Sequence, residues 1–159
     1  MVNRSKRSPA GWAQVDDMVR RWMQQRIELT NDYENIVTPG DGGYEATGKL
    51  AARLNRFCQT LVDYVSAGHF EIYNELIGEA REFNDGTIAM AVDLCHAIEN
   101  STDMALEFNE KYEDLSNATH RFSFLPRDLV ELGSMLNLRF ELEDSLIRTV
   151  HEVHRPMVA

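Results

Sequence analysis

Phe57-Cys58-Gln59-Thr60-Leu61-Val62-Asp63-Tyr64-Val65-Ser66-Ala67-Gly68-His69-Phe70-Glu71-Ile72-Tyr73 is the stretch that decides how this chain folds. Leu54, Phe57, Leu61, Tyr64 and Val65 recur at spacings of three and four, the rhythm of a helix with one buried face. Beside that face runs a second stripe of the same period: Gln59, Asp63, Ser66 and Phe70. It is polar until it ends in an aromatic ring. A solvated face would offer Lys and Glu there, and a core would offer Leu or Val. Gly68 interrupts the pattern, and helical periodicity resumes through Ile72, Tyr73, Leu76 and Ile77. Two readings fit the mixed stripe. One is an Asp and a Ser hydrogen-bonded inside a bundle seam. The other is a recognition patch where a helix bends or restarts.

The same rhythm extends outward in both directions. Upstream, Trp12, Val15, Val19, Trp22, Leu29, Tyr33 and Ile36 form an apolar stripe, and Arg26 falls within it. An arginine there either snorkels to water from the stripe margin or meets a carboxylate of another helix. Asp63 and Glu141 are the candidate partners. Pro39-Gly40-Asp41-Gly42-Gly43 ends this first helix with turn chemistry. A second helix starts near Thr47 and runs to Ala67 or Gly68. A third carries Phe70, Tyr73, Ile77 and Ala80 and stops at Asn84-Asp85-Gly86. A fourth begins about Thr87, with Ile88, Ala91, Cys95, Ile98, Thr102, Ala105 and Tyr112 on one face. Residues 114–125 show no clear period. Pro126 suits the first turn of a final helix, where its missing N–H costs nothing. That helix carries Leu129, Leu132, Leu136, Phe140, Ile147 and Val150, with Pro156 at its end or just beyond. No stretch alternates with period two, and no repeat is visible. The expectation is an all-α, antiparallel four-helix-type bundle with the second helix broken near Gly68, about five helical segments in all. Residues 1–9 read as a flexible basic tail and 10–155 as a single bundle domain.

Charge narrows the function classes. The 159 residues carry 26 acidic and 16 basic groups, a net charge of −10. Arg4, Lys6 and Arg7 sit in the tail without acids, so the body is three charges more negative than the whole. An acidic body repels phosphate backbones and attracts basic surfaces. Direct nucleic-acid binding is disfavoured and a basic protein partner is favoured. Cys58 and Cys95 lie near apolar stripes without metal-type spacing, so buried free thiols are expected. Met1 to Ala10 lacks the apolar core of a secretory signal, and no apolar run approaches the ~20 residues of a membrane helix. The expected compartment is the cytoplasm, with no membrane contact.

Catalytic chemistry finds little to stand on. Ferritin-like di-iron bundles need two Glu-x-x-His pairs plus two further acids. Only Asp93-Leu94-Cys95-His96 approaches that form. His151 and His154 lie three apart without a paired acid motif and read as surface or capping residues. A helical phosphotransfer domain would need one exposed reactive histidine, for which His69 is the candidate. Gly40, Gly42 and Gly43 lack the Lys-Ser/Thr of a phosphate loop, and no Gly-x-Ser-x-Gly elbow is present. No cofactor is expected. A metal-binding or phosphotransfer bundle stays as the alternative to a binding module.

Phe57-Cys58-Gln59, Leu61-Val62-Asp63-Tyr64 and Ser66-Ala67-Gly68-His69-Phe70 resemble the Rsd/AlgQ family, bacterial regulators that bind the primary sigma subunit of RNA polymerase. The resemblance continues in Arg21-Trp22, Arg26, Arg81-Glu82-Phe83-Asn84-Asp85 and Arg139-Phe140-Glu141-Leu142-Glu143-Asp144, in colinear order over nearly the whole chain. It implies an all-α protein that sequesters the carboxy-terminal domain of the primary sigma factor. That domain is a basic helix-turn-helix unit that reads the promoter and docks on core polymerase. It further implies that Asp63, Ser66 and Phe70 form the binding patch, with Trp22 and Arg26 lining or bracing it. Phe70 would be the anchor, and Asp63 would accept a charge-assisted bond from a sigma Arg or Lys. Plain core packing is the competing reading for Trp22. The tail Arg4–Arg7, the turn Pro39–Gly43 and the segment Ser116–Phe124 depart from the family pattern.

Overall fold

The first helix, α1, spans Pro9–Val37. Proline can open a helix because the first turn has no intrahelical use for its missing N–H. Trp12, Val15, Val19, Trp22, Leu29 and Ile36 bury the stripe seen in the sequence. The computed structural model describes residues 9–37, 48–113 and 121–158. The tail before Pro9, the Pro39–Gly43 turn, Thr47 and residues 114–120 lie outside the described residues.

Helix α2 (Gly48–Ala67) runs antiparallel to α1. The direction is fixed by three hydrogen-bonded pairs along the seam: Arg26 with Tyr64, Asp32 with Thr60, and Asn35 with Arg53. As one number rises the other falls. Leu50, Leu54, Phe57, Cys58, Leu61, Tyr64 and Val65 are buried, as the period requires. Gly68 does not stop the chain. Gly68–Ile72 forms a single π turn, which leads directly into α3 (Tyr73–Phe83). The interruption expected near Gly68 is therefore a change of helical winding within one continuous rod.

Asn84 ends α3 in the left-handed region (φ 47°), and its N–H returns to the Ala80 carbonyl at 3.1 Å. Gly86 (φ 90°) completes the corner in a conformation that glycine adopts without a steric penalty. The Asp85 carboxylate accepts from the Thr87 backbone N–H (3.3 Å) and hydroxyl (2.8 Å), tying down the start of α4 (Thr87–Tyr112). Helix α4 packs against α2 through Phe57 and Phe108, whose rings meet edge to face at 5.7 Å.

Helix α5 (Leu125–Leu146) follows a 3₁₀ turn at Arg121–Phe124, with Pro126 in its first turn as expected. It runs antiparallel to α4, since Lys111 reaches Asp128 while Ser101 and Thr102 reach Arg139. It is antiparallel to α1 as well. Tyr33 donates to the Leu129 carbonyl, Arg26 to Asp144, and Trp12 to the carbonyl of His151 beyond the helix end. Four rods thus alternate in direction, and all described elements are helical. The last rod bends beyond Leu146 through a π turn (Ile147–His151) and a 3₁₀ turn (Glu152–His154) before α6 (Arg155–Val158). Pro156 lies inside α6, in its first turn, so it does not end the rod. Cys58 is buried and Cys95 half-buried, both free thiols. Burial pushes their pKa up, to about 12 and about 11.

Candidate functional site: an acidic face over a polar hub

Asp63, Ser66 and Phe70 stand at positions i, i+3 and i+7, which places them on one outward face where α2 meets the π turn. Phe70 is 70% exposed, the most exposed large apolar side chain among the described residues. Its ring meets His69 edge to face at 4.8 Å. Ser66, His69 and Phe70 line a shallow depression of about 330 Å³ whose far wall is α4: Glu99, Thr102, Asp103 and Leu106. Leu106 is itself 43% exposed. Neither Lys nor Arg lines this depression. Asp63 is exposed and makes no hydrogen bond or ion pair with a described residue. The face offers an aromatic ring, an aliphatic neighbour and carboxylates without a Lys or Arg partner. That chemistry suits a partner presenting apolar and cationic side chains together.

Trp22 and Arg26 do not join that face. Trp22 is 1% exposed. Its indole N–H donates to the Tyr64 carbonyl at 3.2 Å, its ring stacks on Tyr64 at 5.2 Å, and it meets Tyr73 edge-on at 5.8 Å. Core packing, not partner contact, is its position. Arg26 does pair with carboxylates of another helix, but with Glu143 (3.3 Å) and Asp144 (2.6 Å), not with Asp63 or Glu141. Asp63 and Glu141 both turn to solvent. The register of α5 against α1, which the sequence pattern alone does not specify, decides this.

Glu143 is the centre of a buried polar hub. It accepts from the hydroxyls of Tyr64 and Tyr73 (2.8 Å to the latter), from Arg139 Nε (3.1 Å) and from Arg26 Nη2. Arg139 is fully buried and spends its other donors on Ser101 (3.1 Å), Thr102 (2.7 Å) and Tyr73 (2.8 Å). One carboxylate and two guanidiniums thereby join α1, α2, α3, α4 and α5. Burial and the Glu143 charge push both tyrosine hydroxyls well above the usual phenol range, so they remain donors. The hub was readable in part. Arg139 and Glu143 interrupt the α5 apolar series Leu132, Leu136, Leu146 at core positions, and two opposite charges at i, i+4 inside a core stripe mark a buried pair.

A second cluster lies at the other end. His151 and His154 are fully buried, not surface groups. His151 is held between Glu79 (3.0 Å) and Asp16 (2.9 Å), and His154 meets Asp85 at 2.7 Å while stacking on Phe83. Asp16, His151 and Glu152 place three donor atoms within 4.8 Å of one another. Cations already occupy that corner: Arg155 reaches Asp16 (3.2 Å) and Glu152 (2.9 Å), and Arg20 reaches Asp16 (2.9 Å). The trio is a salt-bridge knot. Asp93 and His96 both lie on the exposed side of α4, and His96 faces Glu99 at 3.6 Å. No helix among the described residues is long and apolar enough to cross a membrane.

The geometry is that of an all-α bundle with a polar hub inside and an aromatic-centred acidic face outside. The chain belongs to the Rsd/AlgQ family, described as regulator of the RNA polymerase sigma(70) subunit, which it matches over residues 1–151. Among its relatives is the "Regulator of sigma D" of Yersinia pseudotuberculosis, 28% identical over 152 residues, covering 96% of this chain and 90% of the relative. The "Regulator of sigma D" of Yersinia enterocolitica is 27% identical over 154 residues, with 96% and 91% covered. That of Pectobacterium atrosepticum is 28% identical over 137 residues, with 85% and 88% covered.

Proposed function

We propose that this protein is a transcriptional regulator that captures the primary sigma factor of bacterial RNA polymerase by its basic carboxy-terminal domain and keeps it from core polymerase and promoter. It acts in the cytoplasm by binding alone, without catalysing a reaction. Membership of the Rsd/AlgQ family supports the partner. One structural observation carries the site: Phe70 stands 70% exposed at the edge of a depression walled by the acids Glu99 and Asp103, with the exposed Asp63 two turns back along the same rod. Exposed phenylalanine is costly in water and favourable in an interface, where a buried aromatic anchor ringed by polar contacts supplies much of the binding energy. The surrounding carboxylates steer a basic domain toward it and reject phosphate backbones.

The test is direct mixing of the purified protein with the carboxy-terminal domain of its own primary sigma factor, followed by size-exclusion chromatography. The reading requires a co-eluting complex. Separate elution at micromolar concentration of both would refute it.

A further inference from the structure

Winding at about 100° per residue, Leu54, Phe57, Leu61, Tyr64, Val65 and Gly68 define one buried face of α2. Continued as plain α-helix, that face would next take up Ile72 and Glu75. The residues buried beyond it are Ile72, Tyr73, Leu76, Glu79, Ala80 and Phe83, so Tyr73 and Ala80 enter the buried face while Glu75 stays half-buried. Across the π turn the face rotates by less than one residue's turn. Such turns are rare, cost stability, and persist where surrounding contacts enforce them.

The enforcing contacts are visible. A Cβ added at Gly68 would lie 2.9 Å from Trp22 Cζ2, 3.1 Å from the Tyr73 hydroxyl oxygen and 3.2 Å from Tyr73 Cζ. Neither ring is free to retreat. Trp22 is pinned by its bond to the Tyr64 carbonyl and by stacking on Tyr64. Tyr73 is pinned by Glu143 and Arg139, both fully buried. Only a residue without a side chain allows the turn to lie this close on the indole. The turn in turn carries Phe70 at its centre, and the Phe70 carbonyl accepts from the Asn74 side chain at 3.0 Å.

We infer that Trp22, Gly68 and Tyr73 are positioning residues for the partner-binding face: they lock the π turn against the hub and so set the angle at which Phe70 is presented. The inference rests on the proposed binding role of Phe70. It assigns to the interior of the bundle a share of partner affinity that no surface contact reveals. A methyl at Gly68 pushes the turn off the indole and swings Phe70 away from the depression between α2 and α4.

The experiment measures affinity for the sigma carboxy-terminal domain together with the denaturant midpoint, for the full chain and five variants. Gly68→Ala is expected to lose about tenfold or more in affinity while still unfolding cooperatively. Adding Trp22→Phe shortens the ring that the methyl meets, and the double variant is expected to regain affinity over Gly68→Ala alone. Tyr73→Phe, which keeps the ring and removes the anchor to Glu143, is expected to weaken binding too. Leu50→Ala truncates the core at the far end of α2, lowers the midpoint, and is expected to leave affinity intact. Affinity in Gly68→Ala equal to the parent's overturns the inference. So does an equal loss in Leu50→Ala, or a double variant no better than Gly68→Ala. Phe70→Ala is run beside them: if it binds as the parent does, the binding role of Phe70 has failed, whereas a loss there with none in Gly68→Ala refutes only the positioning role.

Discussion

The indole of Trp12 lies flat on the imidazole of His151, with ring centroids 4.4 Å apart and planes within 7° of parallel. Arg155 covers the Trp12 ring at 4.7 Å. This stack joins α1 to the π turn beyond α5, where the Trp12 indole N–H also donates to the His151 carbonyl at 3.3 Å. Glu79 of α3 and Asp16 of α1 face the two ring nitrogens. Arg20 and Arg155 bind Asp16 from its other sides, and Arg155 also binds Glu152. No hydrogen bond or ion pair of the described residues links a charged side chain of α4 to the ring.

A pH dependence follows. Burial disfavours the imidazolium, but bonds from Glu79 and Asp16 outweigh it and raise the His151 pKa above its ordinary value of about 6.5. A raised folded-state pKa means that the stabilisation is complete below the unfolded value and fades as pH rises through the folded one. The denaturant midpoint should therefore fall as pH rises above about 6.5, and His151→Gln should abolish that slope. On the acid side the sign reverses. Burial opposes ionisation of Asp16 and Asp85, yet their histidine partners hold both carboxyls below the usual range. Stability is lost again as pH falls through those depressed values. An alkaline slope that survives in His151→Gln would show that His151 is not its source.

The two arginines of the hub should not cost the same when lost. Arg139 has no exposed surface and serves Glu143, Tyr73, Ser101 and Thr102, whereas the Arg26 side chain keeps 15% exposure and Glu143 retains Arg139 in its absence. Breaking a buried pair typically costs about 3–5 kcal/mol. Arg139→Ala is expected at or beyond the top of that range and Arg26→Ala at or below its foot. Chemical denaturation of both variants gives the order directly, and the reverse order would contradict the hub described above.

How much of this was legible in the sequence depended on the kind of interaction. The four rods, the corner at Asn84–Gly86 and the place of Pro126 follow from apolar period and turn chemistry, which are local. The exposure of Phe70 was not fixed locally: it ends the stripe of Asp63 and Ser66 but also heads the apolar series of Tyr73, Ile77 and Ala80, and its place in the π turn ahead of α3 puts it in water instead of with that series. Nor do the partners of Arg26 follow from local pattern. Choosing Glu143 and Asp144 over Glu141 requires the rotation of α5 about its own axis, which is set by packing with α1 and α4 together. The continuity of the rod through Gly68 was likewise hidden. A glycine that breaks a helix and a glycine that lets an indole approach leave the same letter, and only Trp22, 46 positions away in the chain, tells them apart. Glu79 and His151 became partners through the same long-range docking.

Gly133 is a second site of close approach, between α5 and α1. A Cβ there would fall 2.2 Å from the Tyr33 hydroxyl oxygen, which donates to the Leu129 carbonyl at 2.8 Å. Helix propensity alone favours alanine over glycine by about 1 kcal/mol. The overlap should outweigh that gain, so Gly133→Ala is expected to destabilise by about 1–3 kcal/mol. A higher midpoint in the variant would show that Tyr33 moves aside at no cost.

Electrostatic steering makes its own demand. A chain of net charge −10 that captures a basic domain should associate more slowly as salt rises, since the Debye length shortens to about 10 Å at 0.1 M. Stopped-flow association with the sigma domain at low and high salt measures this. An on-rate indifferent to salt would leave the acidic face without a kinetic role.

The central claim is that Phe70 serves a partner and not the fold, and the Phe70→Ala variant tests it with a paired measurement of denaturant midpoint and affinity for the sigma carboxy-terminal domain. With 70% of its surface in water, the ring gives the fold little, so the midpoint should stay near the parent's. Affinity should fall by about 2 kcal/mol or more, roughly thirtyfold, as for an interface anchor. A folded Phe70→Ala that binds the sigma domain as tightly as the parent would contradict the account at its centre.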